Sequence, residues 1–91
     1  MAVTRDEAKL YLRIDKDVED ALIDSLIQSS TTTVENVLRH PLSDYTTLPE
    51  DIKTAILYGV AYLYENRDTA DFDAMIKLMR AMLFSYRDEV F

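Results

Sequence analysis

Apolar residues recur along this chain at intervals of three and four, and that spacing predicts four helices separated by polar breaks. Thr4 followed by Glu7 is a capping-box pattern, and the first helix is expected over about Arg5 to Leu12, with Ala8, Leu10, Tyr11 and Leu12 as its apolar positions. Arg13 to Asp17 breaks the pattern and reads as a linker. Asp17 is the expected N-cap of a second helix, with Glu19 and Asp20 where the helix dipole favours negative charge. That helix runs to about Arg39, roughly 30 Å at about 1.5 Å per residue. Its apolar stripe is Val18, Leu22, Leu26, Val34, Val37 and Leu38, widened by Ile23 and Ile27. The middle, Ser29 to Thr33, is polar and of poor helix propensity. The period resumes in phase beyond it, so the helix is expected to continue, with a kink allowed there.

His40-Pro41 ends the second helix, because the residue before a proline is pushed out of the helical region. A loop rich in Ser, Thr, Asp and Tyr follows, and Pro49 starts the third helix with Glu50 and Asp51 behind it. Ile52, Ala55, Ile56, Gly59, Val60 and Leu63 form its expected buried face. Ala55 and Gly59, four apart, would let another helix pack closely. Glu65 to Asp71 is a polar break. The fourth helix is expected over Phe72 to Tyr86, with Met75, Ile76, Met79, Met82 and Leu83 inward, where methionines fill a core or form an adaptable contact surface. The last four residues, Asp88 to Phe91, read as a fraying end with an apolar tip that calls for a partner. The fold class is all-α: a small bundle of about four helices, with a short N-terminal helix, two long central helices and a C-terminal one.

Composition narrows the class further. The 91 residues make one domain, 1–91, and a single glycine with two prolines is too little punctuation for a sandwich or barrel. The absence of cysteine excludes a disulfide framework, a thiolate metal site and a cysteine nucleophile. The N-terminus lacks a basic region followed by an apolar stretch, so no signal peptide is expected. The longest apolar run, Ala55 to Tyr64, is about half a membrane span and reads as a core helix, so no membrane partner is expected. A net charge of −7 without clustered Lys and Arg argues against gripping nucleic acid, while lying near DNA is compatible with it.

Candidate chemistry is sparse. His40 is the only histidine and reads as a surface residue rather than a metal ligand. There is no glycine-rich phosphate loop and no Ser/His/Asp order. Asp15, Asp17 and Glu19 alternate as in a calcium loop, but such a loop would want glycine and glutamate where Asp20 and Leu26 stand. Asp24-Ser25-Leu26 matches the triplet that carries the prosthetic group in acyl carrier proteins, which are also small, acidic and four-helical. Here the triplet lies inside an apolar-periodic helix with no glycine before it. No catalytic residue, metal or cofactor is assigned.

Read as a whole, the chain resembles the head–tail connector (portal adaptor) family of tailed bacteriophages. Thr4 to Asp15 is similar to that family's opening helix with its Leu-Arg-Ile-Asp ending. Asp17 to Ile27 resembles its acidic-start second helix, and Leu48 to Lys53 with Ala55-Ile56-Leu57 its Pro-initiated helix. Leu63-Tyr64-Glu65-Asn66-Arg67 resembles the signature closing that helix, and Leu83 to Arg87 a terminal Leu-x-x-Tyr-Arg. Lys16 stands where that family usually has glycine, and the proline expected before the last helix is missing. The resemblance implies a non-enzymatic virion protein at the head–tail junction, assembled in the host bacterial cytoplasm. Its partners would be itself, in a ring of roughly a dozen copies, the portal protein, and a head-completion or tail protein. DNA would pass through the channel without specific binding. Arg13, Asp15, Glu65, Asn66 and Arg67, at helix ends, are the candidates for the subunit interface. Tyr86, Arg87, Val90 and Phe91 are the candidates for portal docking. Two alternatives stay open: a small helical adaptor or regulator that binds another protein, and an acyl-carrier-like protein modified at Ser25.

Overall fold

The computed structural model describes residues 2–86. The described residues form four α-helices: α1 (Arg5–Leu12), α2 (Asp20–Leu38), α3 (Glu50–Glu65) and α4 (Phe72–Met82). Short 3-10 turns lie at Leu42–Asp44 and Phe84–Tyr86, and no strand occurs among the described residues. The all-α expectation holds, and the boundaries follow from local chemistry. The Thr4 hydroxyl accepts from the Glu7 amide at 3.1 Å while the Glu7 carboxylate accepts from the Thr4 amide at 3.0 Å, the reciprocal box that satisfies two otherwise unpaired donors. Pro49 caps α3, its carbonyl accepting from Ile52 and Lys53. Asp71 caps α4 by accepting from the Ala74 amide at 3.0 Å.

Two boundaries differ from the sequence reading. α2 begins at Asp20, and Asp17 does not cap it, because its carboxylate is held instead by Lys9 Nζ at 2.8 Å. α4 stops at Met82 and tightens into the 3-10 turn that carries Tyr86. Arg13 and Arg39 close α1 and α2 in the left-handed conformation, φ 61° and 65°, where a side chain is strained and glycine is the usual residue.

α3 buries the face its periodicity predicts: Ile52, Ala55, Ile56, Gly59, Val60 and Leu63 are all buried. α2 buries most of its expected stripe and adds Ser30 to it. Ile23, Ile27, Ser30, Val34, Val37 and Leu38 form the buried face, Leu22 and Leu26 lie half-buried to one side, and Val18 is 90% exposed. Ser30 enters the core because its hydroxyl donates to the Ile56 carbonyl oxygen at 2.7 Å. A buried hydroxyl with a partner costs little, and its small size brings α2 close to α3. Gly59 completes that approach: a Cβ there would overlap Ser30 Oγ and stand 2.5 Å from the Met79 methyl carbon. α2 runs through Ser29–Thr33 as one continuous helix.

α1 and α4 dock on opposite flanks of the α2–α3 pair. On α3, Lys53 pairs with Glu7 of α1 at 2.7 Å, and the Tyr62 hydroxyl accepts from the Asp71 amide at the start of α4. Lys53 and Tyr62 are nine positions apart, about two and a half turns, and so point in opposite directions. On α2, Asp24 is bound by Arg5 of α1, while Thr33, again nine positions away, lines a groove with Phe72 of α4. α4 therefore packs on its own chain, burying Met75 and Met79, with Leu83 beyond it.

Candidate assembly surfaces

α1 is too short to hold itself in place by burial. Eight residues give it little intrinsic stability, and only Ala8 within it is buried, with Val3 just before. Ala2, Leu12 and Ile14 pack partly buried against the core, and charge pairs add to them. Arg5 binds Asp24 in a fork, with Nε donating to Oδ1 at 2.9 Å and a terminal nitrogen donating to Oδ2. Lys9 bridges Asp17 and Asp20, both at 2.8 Å. These pairs move the ionisations in consistent directions. The hydrogen bond from Arg5 holds the Asp24 carboxyl below the usual carboxylate range, and that from Lys9 does the same for Asp17. Lys53, then the Thr4 amide, hold Glu7 down, while Glu7 raises Lys53 in return. The hydrogen bonds to Asp17 and Asp20 raise Lys9. Arg5, Lys9 and Lys53 did not stand out as sites in the sequence, because pairings such as Arg5–Asp24 and Glu7–Lys53, nineteen and forty-six positions apart, leave no local pattern.

The linker after α1 and the end of α3 meet at one end of the molecule. Ile14, Asp15, Lys16, Val18, Glu19 and Tyr64 line a common open groove. Glu19 is its hinge: it accepts from the Tyr64 hydroxyl and from Arg67 at 3.2 Å. That hydrogen bond raises the Tyr64 phenol above its usual range. The Arg67 guanidinium also stacks over the Tyr64 ring at 5.0 Å. The five sequence-chosen interface residues are thus brought to the same end and divide into two kinds. Arg67 and Asn66 brace their own chain, the Asn66 amide nitrogen donating to the Tyr62 carbonyl at 2.9 Å. Arg13, Asp15 and Glu65 are exposed, and their side chains make no hydrogen bond or ion pair among the described residues.

His40 corrects one reading. It is no open surface residue: its side chain is 12% exposed. Nε2 donates to the Tyr86 carbonyl oxygen at 3.1 Å and lies 3.3 Å from the Tyr45 hydroxyl. The C-terminal turn folds back over the end of α2 and covers it. Tyr86 itself is held, its hydroxyl donating to Asp51 at 3.1 Å, and that acceptor raises the phenol. Arg87, Val90 and Phe91 lie outside the described residues.

The residues singled out for chemistry do not converge. Of the three alternating acids, Asp17 is engaged by Lys9 and Glu19 by Arg67, while Asp15 is exposed. Among the described residues no group of three or more metal-binding side chains gathers, and no helix is long and apolar enough to cross a membrane. Ser25 is exposed in the second turn of α2, beside an open groove with Asp24 and Gln28. What the fold does present is exposed apolar surface: Leu10, Tyr11, Val18, Phe72, Leu78 and Phe84.

A family model, that of phage gp6-like head-tail connector proteins, matches residues 3–90. No curated protein and no solved structure matches.

Proposed function

The chain belongs to the phage gp6-like head-tail connector family, and from that membership we propose that copies of it close into a ring beneath the portal of a DNA-filled capsid. A structural role between phage head and tail proteins comes with the family; the ring, the portal contact and the DNA channel are our reading. The observation that carries it is the match over residues 3–90, which takes in all four helices. Each subunit brings a charge of −7, so a ring multiplies negative charge around its opening. An acidic lumen repels phosphate and lets DNA slide without releasing counterions.

Arg13, Asp15 and Glu65 supply the polar part of the subunit contact, on a loop end that Asn66 and Arg67 hold in shape. The segment from Tyr86 through Arg87, Val90 and Phe91 meets the portal, with Tyr86 anchoring its base on Asp51 and His40. The ring in turn presents a platform to the next head-completion or tail protein.

Co-sedimentation of the purified protein with DNA-filled, tailless capsids bearing the portal from the same genome tests the reading. Saturable binding, with a new ring under the portal by electron microscopy, is the expected result. Absence of binding to capsids that otherwise accept tails would refute it.

A further inference from the structure

A ring built head-to-tail needs two different surfaces on each subunit that fit one another. The exposed apolar side chains sort themselves into two such groups. Leu10, Tyr11 and Val18, exposed by 81, 48 and 90%, belong to α1 and the linker after it. Phe72, Leu78 and Phe84, exposed by 53, 45 and 70%, belong to α4 and the turn after it. α2 and α3 contribute none of the six, and α1 and α4 occupy opposite flanks of the α2–α3 pair. Single exposed apolar residues are ordinary; their confinement to α1, α4 and the segments that directly follow them is not.

The outward faces also differ in charge. On α1, Leu10 lies two positions from buried Ala8, hence on the far side of the helix, with Asp6 one turn before it. On α4, Ala74, Leu78 and Ala81 form an exposed apolar row, with Lys77 beside it. Neither Asp6 nor Lys77 forms a salt bridge among the described residues. Pairing α1 with α1 would set Asp6 against its own copy, whereas pairing α1 with α4 sets it against a lysine. Opposite charges at the rim fix which faces meet.

We infer that the Leu10 face of α1 in one copy seats on the Ala74–Leu78–Ala81 face of α4 in the next, with Asp6 opposite Lys77. This rests on the ring reading and specifies its geometry. Repeating one heterologous contact is what carries an assembly past a dimer to a closed ring.

The chain has no cysteine, so single thiols can be placed at will. Leu10→Cys, Leu78→Cys and the double variant are each incubated with portal-bearing capsids and treated with a short bis-maleimide. Both sites are exposed, so native melting curves are expected for all three. The double variant should give a ladder running beyond dimer, a mixture of the two single variants should give dimer, and neither single variant alone should cross-link. Dimer from one single variant alone would mean a symmetric contact and overturn the inference. Capsid-bound protein that yields no cross-link would overturn it too, while leaving the ring reading standing. Failure to co-sediment at all would remove the ring reading and the inference together. Charge exchange is a second readout: Asp6→Lys and Lys77→Asp should each lose assembly, and the two together should restore it.

Discussion

Gly59→Ala should destabilise the fold, although glycine inside a helix is ordinarily a weakness. Alanine in place of glycine gains about 1 kcal/mol of helix propensity. Against that, the new Cβ would overlap Ser30 Oγ and reach the Met79 methyl. The Met79 methyl ends a flexible side chain and can yield. Ser30 is fully buried and its hydroxyl is committed to the Ile56 carbonyl at 2.7 Å. Either Ser30 turns away and leaves a buried hydroxyl unpaired, at about 1–3 kcal/mol, or α2 and α3 separate, at a similar cost for overpacking. The cost centres on about 2 kcal/mol, so the net is a loss of about 1 kcal/mol. For a domain of this size that lowers Tm by about 4–8 °C. Thermal and urea denaturation followed by far-UV circular dichroism would measure it. Ser30→Ala should be close to neutral, since the Ile56 carbonyl keeps its bond within α3. In that background Gly59→Ala should recover most of what it lost, so the double-mutant cycle shows coupling of about 1 kcal/mol or more. A neutral or stabilising Gly59→Ala, or strict additivity with Ser30→Ala, would refute the close-approach account.

Thr4→Ala removes half the capping box and should cost about 1 kcal/mol, seen first as faster amide exchange in α1. The carboxyls of Asp24, Asp17 and Glu7 are depressed in the folded state, so their contribution is fully present above the ordinary carboxylate range near pH 4 and is lost as pH falls below it. Arg5→Gln should therefore flatten the acid side of the stability curve, and an unchanged acid slope would disprove the stitching role of Asp24. Arg13→Gly relieves left-handed strain of about 1–2 kcal/mol, offset in part by glycine's flexibility; Tm should rise while ring assembly weakens, and assembly at the native level would free Arg13 from that role. Deleting Val90 and Phe91 should weaken portal docking and leave Tm in place, whereas a lower Tm with docking intact would reassign them to the fold. The purified protein should bind duplex DNA weakly at every salt concentration in a filter or mobility assay.

Local signals were legible in the sequence because their physics is local. The capping box places the start of α1, Pro41 and Pro49 bracket the central loop, and the inward face of α3 reads directly from its period. The inward face of α2 was legible in part. Ile23, Ile27, Val34, Val37 and Leu38 belong to the expected stripe and are buried, while Leu22 and Leu26 are half-buried and Val18 lies before the helix, 90% exposed. Ser30 was not legible, since its buried place depends on a carbonyl twenty-six positions away. Asp17 looked like a cap until Lys9, on the preceding helix, claimed it.

The assembly surfaces divide along the same line. The sequence determined that this is a helical, acidic, cysteine-free chain with connector-like motifs, because composition, caps and apolar spacing act over a few residues. It also marked Arg13, Asp15 and Glu65 to Arg67 as helix-end groups. Only the tertiary structure decided that Arg67 is spent on Glu19, that Leu10 and Leu78 face away from the core, and that α1 and α4 sit on opposite sides of the α2–α3 pair. Those facts depend on which helix lies against which, and that is fixed when distant apolar faces and charges meet rather than by any stretch of chain alone.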